Sequence, residues 1–238
     1  MDTKLIKMET RTRLMRYKME VFLKKQFENS GYNVEVFHDH VLSVENFLQE
    51  EEIQTILNII EETSEKEWSI EYTKNLARFC MEKFGRSDVD NLVAEGKFEI
   101  TRGWEDKNLN IVSKKISKDL QGRLGKLIKL EDPSLELAGF GTLQRMQEGV
   151  ELKMHTDQHT DPSIKYAAIL YINDNYKGGE LFFNNKKGPD LKPKPGTLLV
   201  FPGTEEYEHG VRTVGKGPIR YVTVGFIKVT GFYENNKY

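Results

Sequence analysis

From residue 166 onward the sequence reads YAAILYIN (166–173), GGELFF (178–183), PGTLLVFP (195–202) and RYVTVGF (220–226). Short runs rich in Val, Ile, Leu, Tyr and Phe are typical of β-strands, and the glycines and prolines between them mark turns. Working outward, the predicted strands are Leu137–Met146, Leu152–His155, Tyr166–Asn173, Glu180–Asn184, Thr197–Phe201 and Arg220–Val229. Many short strands separated by such turns predict a β core of jelly-roll type with helices packed outside it.

The first half of the chain carries helical patterns instead. Apolar residues recur at helical spacing over 1–28, Asn46–Glu62 and Asn110–Leu130, and a shorter helix is predicted over Lys74–Lys83. Tyr32–Val44 reads as one or two strands, while most of 63–107 shows no clear pattern. We therefore predict an α+β fold with a mainly β core. Its parts are a basic N-terminal helix (1–30), a support region of helices and strands (31–135), the jelly-roll core (136–230) and a C-terminal tail (231–238).

Composition excludes several classes of protein. The 238 residues include 35 Lys and Arg against 37 Asp and Glu, a formal charge of −2, which argues against a strongly basic, sequence-blind nucleic-acid binder. No apolar run approaches the roughly 20 residues that span a bilayer, so we expect no transmembrane segment. The single cysteine, Cys80, cannot form an internal disulfide, and we expect the protein to work in a reducing cytoplasm.

One of the five histidines opens the triplet His155-Thr156-Asp157. Alternate residues of a strand project to the same face, so on a strand this spacing aims an imidazole and a carboxylate at one point, with Thr156 turned away. His209, near a distant predicted strand, is the natural third ligand. Two histidines and one carboxylate form the facial triad of non-haem Fe(II) oxygenases, which leaves coordination positions open.

Two other histidine patterns compete with this triplet. His159 and Asp161 repeat the spacing, but a proline follows at once and favours a turn. His38 and His40 could place two imidazoles on one strand face, although they lie far upstream of the β-rich half and favour a surface strand. An HxD triplet by itself is common at strand ends, so the residues alone leave these alternatives open.

The order of the motifs after Asp157 favours the His155-Thr156-Asp157 triplet over the other two histidine patterns. YAAILYIN, GGELFF and PGTLLVFP are followed by Glu208-His209-Gly-Val211 and then by RYVTVGF. In this order and spacing the set resembles the prolyl-4-hydroxylase-type branch of the 2-oxoglutarate- and Fe(II)-dependent dioxygenases. The resemblance covers about 136–230, and the Phe47-Leu48 entry into the second predicted helix is a further shared feature.

The resemblance implies a double-stranded β-helix (jelly-roll) core in which His155, Asp157 and His209 bind Fe(II). It also implies that Arg220 holds the far carboxylate of 2-oxoglutarate, that the hydroxyl of Tyr171 contacts the same carboxylate, and that ascorbate rescues oxidised iron. The residue chemistry agrees for Arg220, because a planar guanidinium that opens an apolar strand matches a carboxylate in two-point fashion. Arg212 and Lys216 are the alternative anchors.

The sequence departs from the family pattern at two positions. Met146 stands where a tyrosine that contacts the cosubstrate is common, and Phe226 stands where a tryptophan is common. Neither departure touches the predicted metal ligands. Both bear on how the cosubstrate and the substrate are held.

The activity implied by the resemblance is hydroxylation of a peptidyl proline, coupled to conversion of 2-oxoglutarate to succinate and CO2. The expected partner is thus a protein or peptide. One alternative is the same chemistry on a free amino acid, a small metabolite or a nucleobase, although nucleic acid is disfavoured because no aromatic and basic cluster is present. The other is a non-catalytic metal-binding jelly-roll module, which would need neither all three ligands nor Arg220. The oligomeric state is not predicted.

Overall fold

The computed structural model describes residues 21–63, 104–108, 119–128, 134–184 and 188–232, and positions 81, 85, 86, 88, 91, 92 and 95. The strands are β1 (Asn33–Phe37), β2 (Val41–Glu45), β3 (Trp104–Asn108), β4 (Leu135–Met146), β5 (Leu152–His155), β6 (Ile164–Tyr171), β7 (Leu181–Phe183), β8 (Leu198–Pro202), β9 (His209–Val211) and β10 (Arg220–Val229). The helices are α1 (21–29), α2 (Glu50–Glu62), α3 (119–128) and the single turn α4 (Asp157–Thr160), with a 3-10 turn at Glu205–Tyr207.

Two antiparallel sheets build the core. The larger has the strand order β1-β2-β8-β6-β10-β4-β3, and the smaller has the order β5-β9-β7. Strands that are distant in sequence are neighbours in both sheets, which is the arrangement of a jelly roll. The predicted double-stranded β-helix is confirmed.

The large sheet is buried on both faces, because side chains alternate along each strand. One face of β6 carries Ala167, Ile169 and Tyr171, which join the inner core between the two sheets. The opposite face carries Ala168 and Leu170, which join an outer core beneath the helices. This double burial explains why YAAILYIN reads as an uninterrupted apolar run rather than an alternating one.

Helices α1, α2 and α3 cover the outer face of the large sheet. Ile53, Ile56 and Ile60 follow one stripe of α2 and are buried in the outer core. At its N-terminus, the backbone N–H of Gln49 donates to the carboxylate of Glu52 at 2.8 Å. Arg123 of α3 donates to the other oxygen of the same carboxylate at 2.7 Å and thereby ties two helices together.

Most predicted elements lie within two residues of their observed bounds, and β5 and β10 agree at both ends. Helix α2 begins four residues later than predicted, since Asn46 has a φ of +54° and Gln49 is the N-cap. The predicted helix over Lys74–Lys83 and most of the basic segment 1–30 lie outside the described residues. Within the described part of the chain, no helix combines the length and apolar character needed to cross a membrane.

Candidate metal centre

The small sheet brings the two predicted histidine ligands face to face. Strands β5 and β9 are antiparallel neighbours, and His155 is paired directly with His209 across them. Their ring centroids are 4.5 Å apart. Asp157 follows two residues after His155, at the first position of the short helix α4. Residues from two separated stretches of sequence therefore meet at one end of the small sheet.

The ligand-capable atoms of the three side chains converge. The Asp157 carboxylate lies with Oδ1 3.8 Å from His155 Nε2 and Oδ2 4.0 Å from His209 Nε2. Each side chain offers one such atom, and all of these atoms lie within 4.8 Å of one another. The two distances from Asp157 do not exceed about 4 Å, the greatest separation of two donors that each lie about 2 Å from one ion.

Backbone carbonyls fix which imidazole nitrogen faces the centre. His155 Nδ1 lies 2.9 Å from the carbonyl oxygen of Lys153, and His209 Nδ1 lies 2.9 Å from that of Tyr207. A carbonyl oxygen can only accept, so each Nδ1 carries the proton and each Nε2 presents its lone pair to the centre. Orientation of ligand histidines by such outer hydrogen bonds is a general feature of metal sites.

The electrostatics of the centre favour a cation. Burial raises the pKa of Asp157 to about 6, although the charge of His155 opposes the shift. Burial, with a smaller contribution from His155, lowers the pKa of His209 to about 3, so this imidazole is neutral at pH 7. Asp157 Oδ2 is buried and accepts no hydrogen bond from the described residues. A neutral His209 imidazole beside a carboxylate with a bare oxygen fits a bound divalent metal ion.

The three predicted ligands converge, but the prediction that His155 and Asp157 share one strand is wrong. Strand β5 ends at His155, so His155 and Asp157 do not project from the same strand. Thr156 has φ −119° and ψ 137°, an extended conformation that keeps the two-residue spacing and turns Asp157 into the centre. The hydroxyl of Thr156 is itself buried and without a hydrogen bond from the described residues.

The competing histidine patterns lie apart from this centre. His159 has a side chain that is 70% exposed, and its Nε2 lies 3.2 Å from Glu205 Oε1. His38 and His40 occupy the turn between β1 and β2, where both have positive φ, so the predicted surface strand at these residues is wrong. None of these three histidines is part of the convergent group.

A second polar group adjoins the same inner core. Arg220 opens β10 opposite Met146, the last residue of β4, and is only 2% exposed. Its Nε donates to the carbonyl oxygen of Gly179 at 3.0 Å, and its terminal nitrogens lie 3.3 Å from Met146 Sδ and 3.5 Å from the Tyr171 hydroxyl. None of these partners is a carboxylate, so the buried positive charge has no anionic partner among them.

Tyr171 lies beside Arg220 in the inner core, whereas the two alternative anchors, Arg212 and Lys216, are exposed. Tyr171 is fully buried beside Arg220, and burial raises the pKa of its phenol, so it is a neutral donor at pH 7. Arg212, an alternative anchor, is exposed and donates to Asp190 at 2.8 Å. Lys216 is exposed and lies in the segment between β9 and β10.

Sequence reasoning missed two residues at Arg220. The sequence predicted only a turn at Gly179, yet its carbonyl oxygen accepts a hydrogen bond from the Arg220 guanidinium. Tyr176 belongs to the loop between β6 and β7, and the guanidinium carbon of Arg220 lies 5.8 Å from the centre of its ring. A loop residue has no periodicity that would assign it to the core, so no sequence signal pointed to Tyr176.

Comparison with known proteins agrees with this geometry. Residues 141–228 match the model of the 2OG-Fe(II) oxygenase superfamily. Human prolyl 3-hydroxylase 2 is 39% identical over 56 residues, which are 22% of this chain and 8% of that protein. The chain thus matches a small part of the length of its curated relatives.

Two solved structures share the fold. One is a prolyl hydroxylase from Trichoplax adhaerens in complex with a hypoxia inducible factor peptide fragment (TM-score 0.54, 15% identity, 92% of this chain and 93% of that chain). The other is a viral collagen prolyl hydroxylase from Paramecium Bursaria Chlorella virus-1 in its 2OG complex (TM-score 0.53, 14% identity, 81% and 97%). The resemblance to prolyl-hydroxylase-type 2OG/Fe(II) oxygenases is confirmed.

Proposed function

We propose that this chain is an Fe(II)- and 2-oxoglutarate-dependent dioxygenase that hydroxylates a peptidyl proline. The observation that carries the proposal is the convergence of His155, Asp157 and His209, with both Nε2 lone pairs and a bare carboxylate oxygen turned to one point. The match to the 2OG-Fe(II) oxygenase superfamily over 141–228 supports the proposed class of reaction. We assign the activity to the jelly-roll core at 136–230.

In this proposal His155, Asp157 and His209 hold Fe(II), and Arg220 with Tyr171 binds the far carboxylate of 2-oxoglutarate. Bound Fe(II) would supply the dioxygen chemistry that couples decarboxylation of 2-oxoglutarate, giving succinate and CO2, to insertion of one oxygen atom into a C–H bond. The protein orients both reactants and excludes water. The aromatic residues against His209 serve the second task, with Phe201 and Phe183 ring centroids at 4.8 and 5.9 Å from its ring.

The proposed substrate is a peptide rather than a small molecule. Human prolyl 3-hydroxylase 2 and the Trichoplax prolyl hydroxylase bear names that specify proline, and the latter was solved with a peptide. We further propose ascorbate as the reductant that restores oxidised iron, and a cytoplasmic location, since the single cysteine needs no oxidising compartment.

Spectroscopy tests the metal and cosubstrate assignments together. Anaerobic addition of Fe(II) and 2-oxoglutarate is expected to give a weak visible metal-to-ligand charge-transfer band. His155→Ala should abolish the band, while His159→Ala, which alters a neighbouring exposed histidine, should leave it unchanged. Absence of the band in the unaltered protein, or its loss only in His159→Ala, would contradict the proposal.

Mass spectrometry tests the substrate. Proline-containing peptides incubated with the protein, 2-oxoglutarate and ascorbate should gain one oxygen atom, and fragmentation assigns the modified ring carbon. Turnover of 2-oxoglutarate with no oxygen gained by any peptide, but with a hydroxylated free amino acid or metabolite, would reassign the substrate class. Absence of any turnover would favour a non-catalytic module.

A further inference from the structure

Tyr176 is a buried tyrosine beside Arg220 whose hydroxyl has no assigned role. It is 2% exposed, and its hydroxyl oxygen makes no hydrogen bond of normal length with the described residues. An unsatisfied buried hydroxyl lowers stability, so folded proteins rarely retain one without a ligand or a water as partner. Its position next to a guanidinium that also lacks an acidic partner suggests one ligand for both.

The ring of Tyr176 has close neighbours on two sides. The Lys192 ammonium lies 4.5 Å above the ring centroid and also donates a hydrogen bond to the Tyr176 carbonyl oxygen. On another side, a Cβ built on Gly179 would lie 3.1 Å from ring carbons of Tyr176 and 3.0 Å from Arg220 Cδ. The glycine therefore lets the phenol and the guanidinium approach each other closely. The hydroxyl position is set before any ligand arrives.

The charges around Tyr176 make it a donor. Burial raises the pKa of its phenol well above the usual range, while the positive charge of Arg220 offsets part of the shift. The phenol is thus neutral at pH 7 and offers its proton. The thioether of Met146, which faces Arg220, is a weak acceptor and cannot serve as partner to a carboxylate. The hydroxyl of Tyr171 and the ring of Tyr176 thus both lie beside the Arg220 guanidinium, with no carboxylate among its hydrogen-bond partners given above.

We propose that Tyr176 is a further ligand of the far carboxylate of 2-oxoglutarate, donating a hydrogen bond from its hydroxyl alongside Arg220 and Tyr171. This assignment rests on the proposed function and adds a residue that selects dicarboxylic over monocarboxylic keto acids. Pyruvate, which lacks the second carboxylate, would leave the hydroxyl of Tyr176 unpaired. 2-Oxoglutarate would satisfy it.

The test variant is Tyr176→Phe, which keeps the ring and removes the hydroxyl alone. In anaerobic Fe(II)-loaded protein, titration of the charge-transfer band should show the dissociation constant for 2-oxoglutarate rising about tenfold or more, as expected when a hydrogen bond to a charged group is lost. The Fe(II) affinity measured without 2-oxoglutarate should not change. Tyr166→Phe is the matched control, because Tyr166 is buried on the outer face of β6 and should leave 2-oxoglutarate affinity unchanged.

A metal-free measurement provides a second readout. Glutarate has two carboxylates and no keto group, and its binding to metal-free protein by NMR titration should weaken in Tyr176→Phe but not in Tyr166→Phe. If unaltered protein fails to bind 2-oxoglutarate, both the proposed function and this assignment fall. If it binds 2-oxoglutarate and Tyr176→Phe binds equally well, the role of Tyr176 is overturned while the dioxygenase proposal stands.

Discussion

At the scale of single residues, Asp157 shows a conflict between stability and metal binding. Its carboxylate is buried, one oxygen lacks a hydrogen bond from the described residues, and its pKa is raised to about 6. The folded state therefore binds a proton at Asp157 more tightly than the unfolded chain, whose carboxyl has its ordinary pKa of 3.8. The ionised form destabilises the metal-free protein above pH 6, and this cost disappears as the pH falls towards 4.

Replacing this carboxylate with an amide should separate the two properties. Asp157→Asn is expected to abolish Fe(II) binding and yet to raise the unfolding free energy of the metal-free protein at pH 7.5 by roughly 2–3 kcal/mol. The gain should vanish near pH 4, where the native carboxyl is protonated. Urea unfolding in a chelator at both pH values measures it. Comparing variants is necessary because His209, whose pKa is lowered to about 3, contributes to stability with the opposite sign.

Asp161→Asn is the control for this prediction. Asp161 accepts hydrogen bonds from Ser163 and lies 2.8 Å from the ammonium of Lys228, so its charge is compensated. Its replacement should lower stability at pH 7.5 and leave Fe(II) binding intact. If Asp157→Asn lost as much stability as Asp161→Asn, the ionised carboxylate of Asp157 would not be destabilising the metal-free protein.

At the scale of elements, the turn between β6 and β7 helps to position Arg220. Gly178 and Gly179 have φ of +61° and +68°, a conformation that favours glycine. A Cβ on Gly178 would lie 2.1 Å from the backbone carbonyl oxygen of Thr213, so the turn packs closely against the segment that contains Thr213. Gly179 in turn presents its carbonyl oxygen to Arg220. The turn therefore fixes the guanidinium as well as the chain direction.

Two alanine substitutions distinguish backbone strain from contact with Arg220. Gly179→Ala should lower stability by about 1 kcal/mol through its positive φ and should weaken 2-oxoglutarate binding several-fold, because its Cβ would displace Arg220. Gly149→Ala has similar strain, at φ +82°, but no heavy atom lies within 4 Å of its Cβ. It should lose similar stability and keep its affinity for 2-oxoglutarate. Equal affinities in the two variants would show that Gly179 has no part in placing Arg220.

Strand periodicity made much of this architecture predictable. Bounds of β10 and β5 follow from apolar runs with clear turn signals, and these strands place Arg220 and His155. The change from strand to helix at Thr156 was not predictable. Thr156 is extended as the N-cap of α4, and an extended residue within a strand would give His155 and Asp157 the same spacing. The Nδ1 partners are carbonyls of Lys153 and Tyr207, and backbone carbonyls are the same in every sequence. The position of Tyr176 beside Arg220 depends on the conformation of a loop, which the local sequence does not specify.

At the scale of the whole molecule, the large sheet separates two cores with different tasks. The outer core joins the sheet to helices α1 to α3 and contains Phe47, Leu124 and Ile56. The inner core lies between the sheets and contains Tyr171 and Phe201, which contact Arg220 and His209 respectively. Packing changes in the outer core should thus alter the stability of the fold, while changes in the inner core should also alter the candidate site.

Two truncations compare these cores. Leu124→Ala, in α3, should lower the unfolding free energy by roughly 2–4 kcal/mol through lost burial and a residual cavity. Under native conditions the folded fraction should bind Fe(II) as before, because the intervening sheet keeps the cavity away from the ligands. Phe201→Leu should cost about 1–2 kcal/mol and weaken Fe(II) binding roughly three- to tenfold, since the ring that packs edge-on against His209 is lost. Urea unfolding in a chelator and anaerobic Fe(II) titration give the two quantities separately. If affinity fell in both variants in proportion to stability, the two cores would be acting as one, and the sheet would not insulate the site from the helices.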